Sequence, residues 1–278
     1  MLKNNIRKLF PKRRAESHKG DYGKVFILAG SDGMFGAALL CSRSAFRVGA
    51  GVVYLGIPSR AKDIVNVSTP EVIAIGGDSS KDFSDIIHKS NAIVVGPGLG
   101  ARKIIARELL LSLSKQKYPN PSIVDADALS AFGNEISQFK NLGLKLILTP
   151  HPGEMGRLLG RTSEEIQKSR KKYAVETAKL LGCTIVLKGK NSIVANECGE
   201  IYINKTGNPG MATAGAGDVL AGVIGGLAGQ GFSAWDAAVA GVYLHGYAGD
   251  LAAKEKGEYG MIASDIVEKL PYAIKQNR

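Results

Sequence analysis

Cysteine is nearly absent from this 278-residue chain: Cys41, Cys183 and Cys198 form no C-x-x-C pair and are odd in number. That set excludes a disulfide framework and a zinc site built on paired thiolates, and it suits a reducing, cytoplasmic setting. No apolar run approaches the ~18 residues a membrane span needs, so no membrane partner is expected. The basic start, MLKNNIRKLFPKRR, lacks the apolar segment of a secretory signal, and residues 1–17 are expected to form a solvated basic arm. No Pro/Ser-rich linker, charge block or internal repeat divides the sequence. A single domain over residues 1–278 is therefore expected, long enough to bury a full core. Aromatics are also few, at 8 Phe, 9 Tyr and 1 Trp, and basic residues are not interleaved with them. Nucleic acid is accordingly not an expected partner. The net charge of +11 still suits an anionic ligand, and a small phosphorylated molecule fits it. Lys168, Arg170, Lys171 and Lys172 fall on a predicted helix and read as its wet face.

Short β-rich runs recur, each followed by a turn and a helical segment. Strands are predicted at KVFILAG, GVVYLGIP, EVIAIG, NAIVVGPG, PSIVDAD, LKLILTP, TIVLKG, NSIVAN and EIYINK. The middle runs are apolar throughout rather than alternating, the mark of strands covered on both faces. Helices are predicted at GAALLCSRSAFRVG, ARKIIARELLLSLSKQ, SEEIQKSRKKYAVETAKLLG, GDVLAGVIGGLAG and SAWDAAVAGVYLHGYAGDLAAKEKG. The alternation implies a three-layer α/β/α domain with a mostly parallel central sheet. Around Glu197-Cys198-Gly199-Glu200 two strands read as an antiparallel hairpin at the sheet edge.

Ligands of such sheets bind beyond the carboxyl ends of the strands, where the glycines cluster. Gly30, Gly33 and Gly36 follow the first strand, with Ala37 and Ala38 opening a helix; small residues here let a substrate lie against backbone amides. Their spacing lacks the G-x-G turn of a dinucleotide fingerprint. Gly96-Pro97-Gly98-Leu99-Gly100 ends another strand. Asp125 and Asp127 sit two apart at a strand end, where they could bind a cation or one could cap a helix. In TPHPGEMGRLLG, prolines flank His151, and Glu154 is suited to holding magnesium through retained water rather than as a direct ligand. No Walker P-loop exists: Gly189-Lys190 is followed by Asn191. Lys188 and Lys190 sit at a strand end, either within reach of a nucleotide or as solvated hairpin charges. His245, in an apolar helix, reads as a satisfied core histidine.

The stretch NKTGNPGMATAGAGDVLAGVIGG, residues 204–226, is the most specific. Gly215, Ala216 and Gly217 lead into Asp218 and an apolar helix. Unpaired amides at a helix start attract phosphate, and glycines let it approach. An aspartate in that turn either caps the helix or accepts a proton as phosphate is attacked. Asn208 lies in the same stretch and joins the nucleotide-binding candidates.

Together, HKGDYGKVFILAGSDGMFGAALL, GPGLG, DADAL, TPHPGEM, VLKGKNSIVA and NPGMATAGAGDVLAG resemble the stand-alone ADP- or ATP-dependent NAD(P)H-hydrate dehydratases. The resemblance covers almost the whole chain and implies a ribokinase-like fold. It implies Asp218 as the catalytic residue. It places the hydrated NADH or NADPH near Gly36, Ala37, Ala38, Gly100, His151 and Glu154. It places the adenine nucleotide along Lys188, Gly189, Lys190, Asn191 and Ser192 and beside Gly217, with magnesium meeting the protein only through water. A tetramer and a separate epimerase protein are further implied, since the family is frequently fused to an epimerase. One departure is visible: where the family commonly reads G-G-T-G-D or G-G-S-G-D, Ala214 and Ala216 replace a glycine and a hydroxyl residue, removing one possible phosphate hydrogen bond worth ~1 kcal/mol.

Two other readings share the G-x-G-D turn. A ribokinase-like kinase for a vitamin-precursor alcohol would yield a stable phosphorylated product, although TPHPGE and GSDGMFGAA speak against it. A non-enzymatic nucleotide-binding regulator would keep the pocket without turnover.

Overall fold

The computed structural model describes residues 10–133 and 135–278. Nine strands among them form one sheet: β1 Lys24–Leu28, β2 Val52–Ile57, β3 Ile73–Gly76, β4 Ala92–Val95, β5 Ser122–Val124, β6 Leu146–Leu148, β7 Thr184–Leu187, β8 Ile193–Ala195 and β9 Ile201–Ile203. Their spatial order is 3-2-1-4-5-6-7-8-9. Strands β1 to β7 are parallel to their neighbours, while β8 pairs antiparallel with β7 and β9 with β8. All nine expected strands are present, and the expected edge hairpin is β8–β9.

Apolar residues stand at every position of the central strands because both faces are covered. In β1, Val25 and Ile27 enter one core cluster while Phe26 and Leu28 enter the other. The first layer holds α1 (Phe35–Arg47), α10 (Ala216–Gly229), α11 (Ala234–Lys256) and α12 (Ala263–Asn277). The second holds α4 (Lys103–Lys115), α7 (Pro152–Leu159) and α9 (Arg170–Leu181). Short helices α2 (Lys62–Ser68), α3 (Ser84–His88), α5 (Ala126–Leu129), α6 (Ser137–Asn141) and α8 (Ser163–Lys168) complete the connections.

Helix α10 positions the site, and glycines let it sit close. A Cβ on Gly222 would fall 2.0 Å from the Cys41 carbonyl of α1, and one on Gly226 would fall 2.7 Å from the Ala45 carbonyl. Four residues apart, these two lie on one face of the helix and form a flat surface against α1.

The expected continuous helix over 163–182 is two helices, broken at Ser169 (φ −139°, ψ 40°). Helix α12 is not among the predicted helices, and it carries Pro271 in its interior, where proline removes a backbone hydrogen bond. Burial of Ile266, Val267, Leu270 and Ala273 outweighs the lost backbone bond, since each large apolar side chain buried contributes about 1.5–3 kcal/mol. Of the expected solvated arm, residues 1–9 lie outside the described residues. Of the remainder, residues 11–16 are exposed, as expected, and two contacts anchor the segment. Phe10 packs on Phe232 with ring centroids 5.5 Å apart, and the Arg13 guanidinium lies 3.6 Å from the Tyr22 ring centre.

Candidate active site

The strand order reverses between β1 and β4, so the crevice opens where the glycine loops that follow these strands meet. The Gly30 amide donates to the Pro97 carbonyl at 2.8 Å, and the Ser31 hydroxyl to the Gly98 carbonyl at 2.9 Å. Ala37 abuts the second loop, since a Cβ on Gly98 would stand 2.8 Å from its methyl. Gly36 faces open space, whereas Ala38, expected beside the substrate, is fully buried in the core and presents no surface to a ligand, because the helix it opens packs that face on the sheet. Arg102 fastens both rims, donating to the Gly30 and Gly77 carbonyls at 2.8 and 2.9 Å. The Gly100 amide donates to Asp127 at 2.8 Å.

Beyond β6, His151 caps α7. Its Nδ1 accepts from the Gly153 and Glu154 amides at 3.0 and 3.3 Å, and the Glu154 carboxylate accepts from the His151 amide at 2.7 Å. The accepting Nδ1 fixes a neutral imidazole with its proton on Nε2, and burial holds its pKa below the ordinary histidine value. Pro152 at the first helical position completes the start signal. Glu154, only 7% exposed, also lies 3.5 Å from the Lys188 ammonium.

Lys188, at the end of β7, is neither a solvated hairpin charge nor a free one. Its Nζ donates to the buried Asp125 carboxylate at 2.6 Å, and the Thr149 hydroxyl donates to the same oxygen at 2.6 Å. Burial works against the ammonium, but Asp125 and then Glu154 outweigh it and hold its pKa above the ordinary lysine value. Asp125 and Asp127 therefore do not share a cation: Asp125 takes the Lys188 ammonium, and Asp127 holds Gly100. Nor does the Asp125 side chain cap a helix, although its backbone occupies the N-cap position of α5. Ala126 between them is forced to φ 47°, a strained conformation of the kind found at binding sites.

The ammonium faces the start of α10. A Cβ on Gly217 would stand 3.6 Å from Lys188 Nζ. Gly215, in a left-handed conformation (φ 89°), turns the chain into the helix and offers no side-chain cap. The Ala216 amide goes to the Thr213 carbonyl at 3.3 Å, which leaves the first-turn amides of Gly217 and Asp218 for an anion. Asp218 is half-buried, and its pKa is raised to about 7, by burial first and then by the Asp125 charge, with Lys188 pulling the other way. A carboxylate with a pKa near neutrality beside free helix-start amides has the chemistry to accept a proton next to a bound anion.

Other candidates serve the frame. The Asn208 side chain accepts from the Gly210 amide at 3.0 Å and donates to Asp250 at 3.1 Å, holding the turn before α10. Gly189, Lys190 and Asn191 are exposed, and the Ser192 hydroxyl donates to the Gly189 carbonyl at 3.0 Å. His245, read as a satisfied core histidine, is half-buried, its Nε2 sealed without a partner among the described residues; burial brings its pKa down to about 4, with a backbone hydrogen bond to Ala216 pulling the other way. Sequence reasoning did not single out Thr149, Arg102 or Asp250, each of which acts through contacts distant in sequence. It read Arg170 as part of a wet helix face, whereas its guanidinium is half-buried against the loop after β7. For Thr149 one signal existed, a polar residue closing an apolar strand next to Pro150.

A family model described as NAD(P)H-hydrate dehydratase matches residues 25–272, which takes in every loop of this crevice. The chain belongs to the NAD(P)H-hydrate dehydratase family. A bifunctional NAD(P)H-hydrate repair enzyme of Moorella thermoacetica is 39% identical over 97% of the chain. The chain spans about half the length of that relative and of the next curated relatives it matches. An ADP-dependent (S)-NAD(P)H-hydrate dehydratase of Neisseria meningitidis is 39% identical, over 93% of this chain and 87% of its own. The Bacillus subtilis ADP/ATP-dependent NAD(P)H-hydrate dehydratase, co-crystallized with ATP and Mg2+, superposes with a TM-score of 0.85 at 33% identity, covering 99% of this chain and 97% of its own. The architecture of the dehydratase family is the ribokinase-like one, and the chain has it.

Proposed function

We propose that this chain dehydrates hydrated NADH or NADPH at the expense of ADP or ATP, restoring the reduced cofactor. The observation that carries the reading is Asp218, with a pKa raised to about 7, at the open start of α10 and next to the Lys188 ammonium. Its carboxylate takes the proton of the substrate hydroxyl. The hydroxyl oxygen bonds to the terminal phosphorus of the nucleotide, whose bond to the bridging oxygen breaks to give AMP or ADP. The phosphate ester then leaves as phosphate, expelled by the ring nitrogen, and loss of a ring proton restores NAD(P)H. The amides of Gly217 and Asp218 receive the terminal phosphate as charge develops. Lys188 adds a fixed positive charge beside them.

The hydrate is assigned to Gly36, Ala37, Gly100, His151 and Glu154, with Ala38 buried behind them. The nucleotide is assigned to Lys188, Gly189, Lys190, Asn191, Ser192, Gly215, Ala216 and Gly217, with Asn208 framing the turn. Among the described residues no three carboxylate, histidine or cysteine groups gather as a metal cage, and Lys188 fills the gap between Asp125 and Glu154. Magnesium fits only as an ion carried on the nucleotide's phosphates, meeting Glu154 through retained water, where it would neutralise phosphate charge. No helix among the described residues is long and apolar enough to cross a membrane. Action in the cytoplasm belongs to the same reading. The same reading assigns a homotetramer and leaves epimerisation of the hydrate to a separate protein.

Enzymatically hydrated NADH is offered with ADP or ATP, and the absorbance of the restored cofactor is followed. Asp218→Asn should abolish turnover and keep nucleotide binding. Unchanged turnover in that variant would remove Asp218 from the mechanism. A stable phosphorylated alcohol as product would replace the dehydratase by the kinase reading.

A further inference from the structure

Arg170 is not on the wet face of its helix. It opens α9 immediately after the break at Ser169, and it is half-buried while Lys171 and Lys172 are exposed. Its guanidinium enters the concave side of the loop after β7. Nη2 donates to the Leu187 and Lys188 carbonyls at 2.9 and 3.1 Å, and Nη1 donates to the Lys190 carbonyl. Gly189 (φ 133°) wraps so tightly that a Cβ would stand 3.1 Å from Nη2. Asn191 adopts φ 54° to complete the turn.

A trans peptide points its carbonyl and the following N–H in opposite directions. With the Lys188 and Lys190 carbonyls drawn inward, the Gly189 and Asn191 amides face away from the guanidinium. Among the described residues, no backbone acceptor takes the Gly189, Lys190 or Asn191 amide. Free amides turned to one side of a tight loop are donors for an anion.

The arrangement satisfies three carbonyls but leaves a cost elsewhere. Burial lowers the Arg170 pKa with no carboxylate to offset it, and Nε is sealed without a partner among the described residues. Unpaired buried donors cost folding free energy, so the gain lies in what the loop receives.

We propose that Arg170 is a positioning residue for the nucleotide, gathering the loop's carbonyls on one side so that its free amides face the phosphates on the other. This rests on the assignment of residues 188–192 to the nucleotide. Only a planar fork reaches three carbonyls at once, so lysine is not an adequate replacement.

The test titrates ADP and ATP calorimetrically into the wild-type chain, Arg170→Lys, Arg170→Ala and, as a control, Lys172→Ala, with melting temperatures recorded alongside. In Arg170→Lys and Arg170→Ala the nucleotide Kd should rise about ten-fold or more. The KM for hydrated NADH should stay within about two-fold. Free guanidinium should recover part of the nucleotide affinity of Arg170→Ala and leave Lys172→Ala unchanged. An unaltered nucleotide Kd in a folded Arg170→Ala overturns the proposal. So does an equal loss in both KM values accompanied by a fall in melting temperature. Because binding is read directly, a wild-type chain that binds nucleotide but turns over no hydrate overturns the dehydratase reading alone. One that binds no nucleotide overturns both.

Discussion

The Lys188 ammonium lies 2.6 Å from the Asp125 carboxylate, across 63 residues of sequence, and holds that buried acid at the floor of the crevice. Removing the lysine strands Asp125 and Glu154 as carboxylates without their cation. Lys188→Met should therefore cost about 3 kcal/mol in urea unfolding, in the range for breaking a buried pair. The double variant Lys188→Met/Asp125→Asn should recover much of that loss, because the stranded charge goes with its partner. Additive losses in the cycle would show that the pair is not coupled.

The same lysine bears on the pH profile. Asp218 acts as a base only when ionised, and burial with the Asp125 charge raises its pKa to about 7. The kcat/KM of the wild-type chain should fall on the acid side with a midpoint near that value, since this parameter reports the free enzyme. In Lys188→Met the midpoint should move to higher pH, because Lys188 is the group that lowers the Asp218 pKa. A profile flat from pH ~5 to ~8 would show that another group takes the proton.

Glycines in α10 divide into those that fold the protein and those that bind. A Cβ at Gly222 would collide with the Cys41 carbonyl at 2.0 Å, so Gly222→Ala should destabilise the chain by about 2 kcal/mol or more. At Gly217 the nearest atom is the Lys188 ammonium at 3.6 Å, an ordinary contact. Gly217→Ala should keep the melting temperature or raise it, as alanine is the better helix former by ~1 kcal/mol. Its methyl would occupy the space left for phosphate, and the nucleotide KM should rise by about ten-fold. Equal effects of the two changes on melting temperature would contradict this division.

The strands were legible because runs such as KVFILAG and NAIVVGPG show the continuous apolar pattern of a two-sided sheet. Asp218 and Lys188 were legible as candidates because glycine turns at strand ends mark the crevice of such a sheet. What the sequence hid was pairing. Nothing local tells that Asp125 answers Lys188 rather than Asp127, or that Thr149 donates to it. Arg170 continues the helical period of its neighbours, so only the turn of the β7 loop around it shows that the helix must break at Ser169. Helix α12 escaped sequence reasoning; it carries Pro271, a local breaker, and is held by the burial of Leu270 and Ala273.

Asp218 should also set a cost on folding. Its pKa is about 7 in the folded chain against 3.8 for an ordinary aspartate. Between those values the folded state holds a proton that the unfolded state has released, so stability falls as pH rises through the window and the full penalty stands above it. Asp218→Asn removes the titrating group. At about pH 8 it should stabilise the protein by about 1–3 kcal/mol, allowing for solvent screening of a half-buried carboxylate. Near pH 4 the gain should all but vanish, since the wild-type side chain is then largely protonated in the folded state and only half released in the unfolded one. Urea unfolding of both proteins at the two pH values measures the difference. A gain of the same size at both would place its origin in packing, and a loss at the higher pH would mean that the carboxylate is stabilised where it stands.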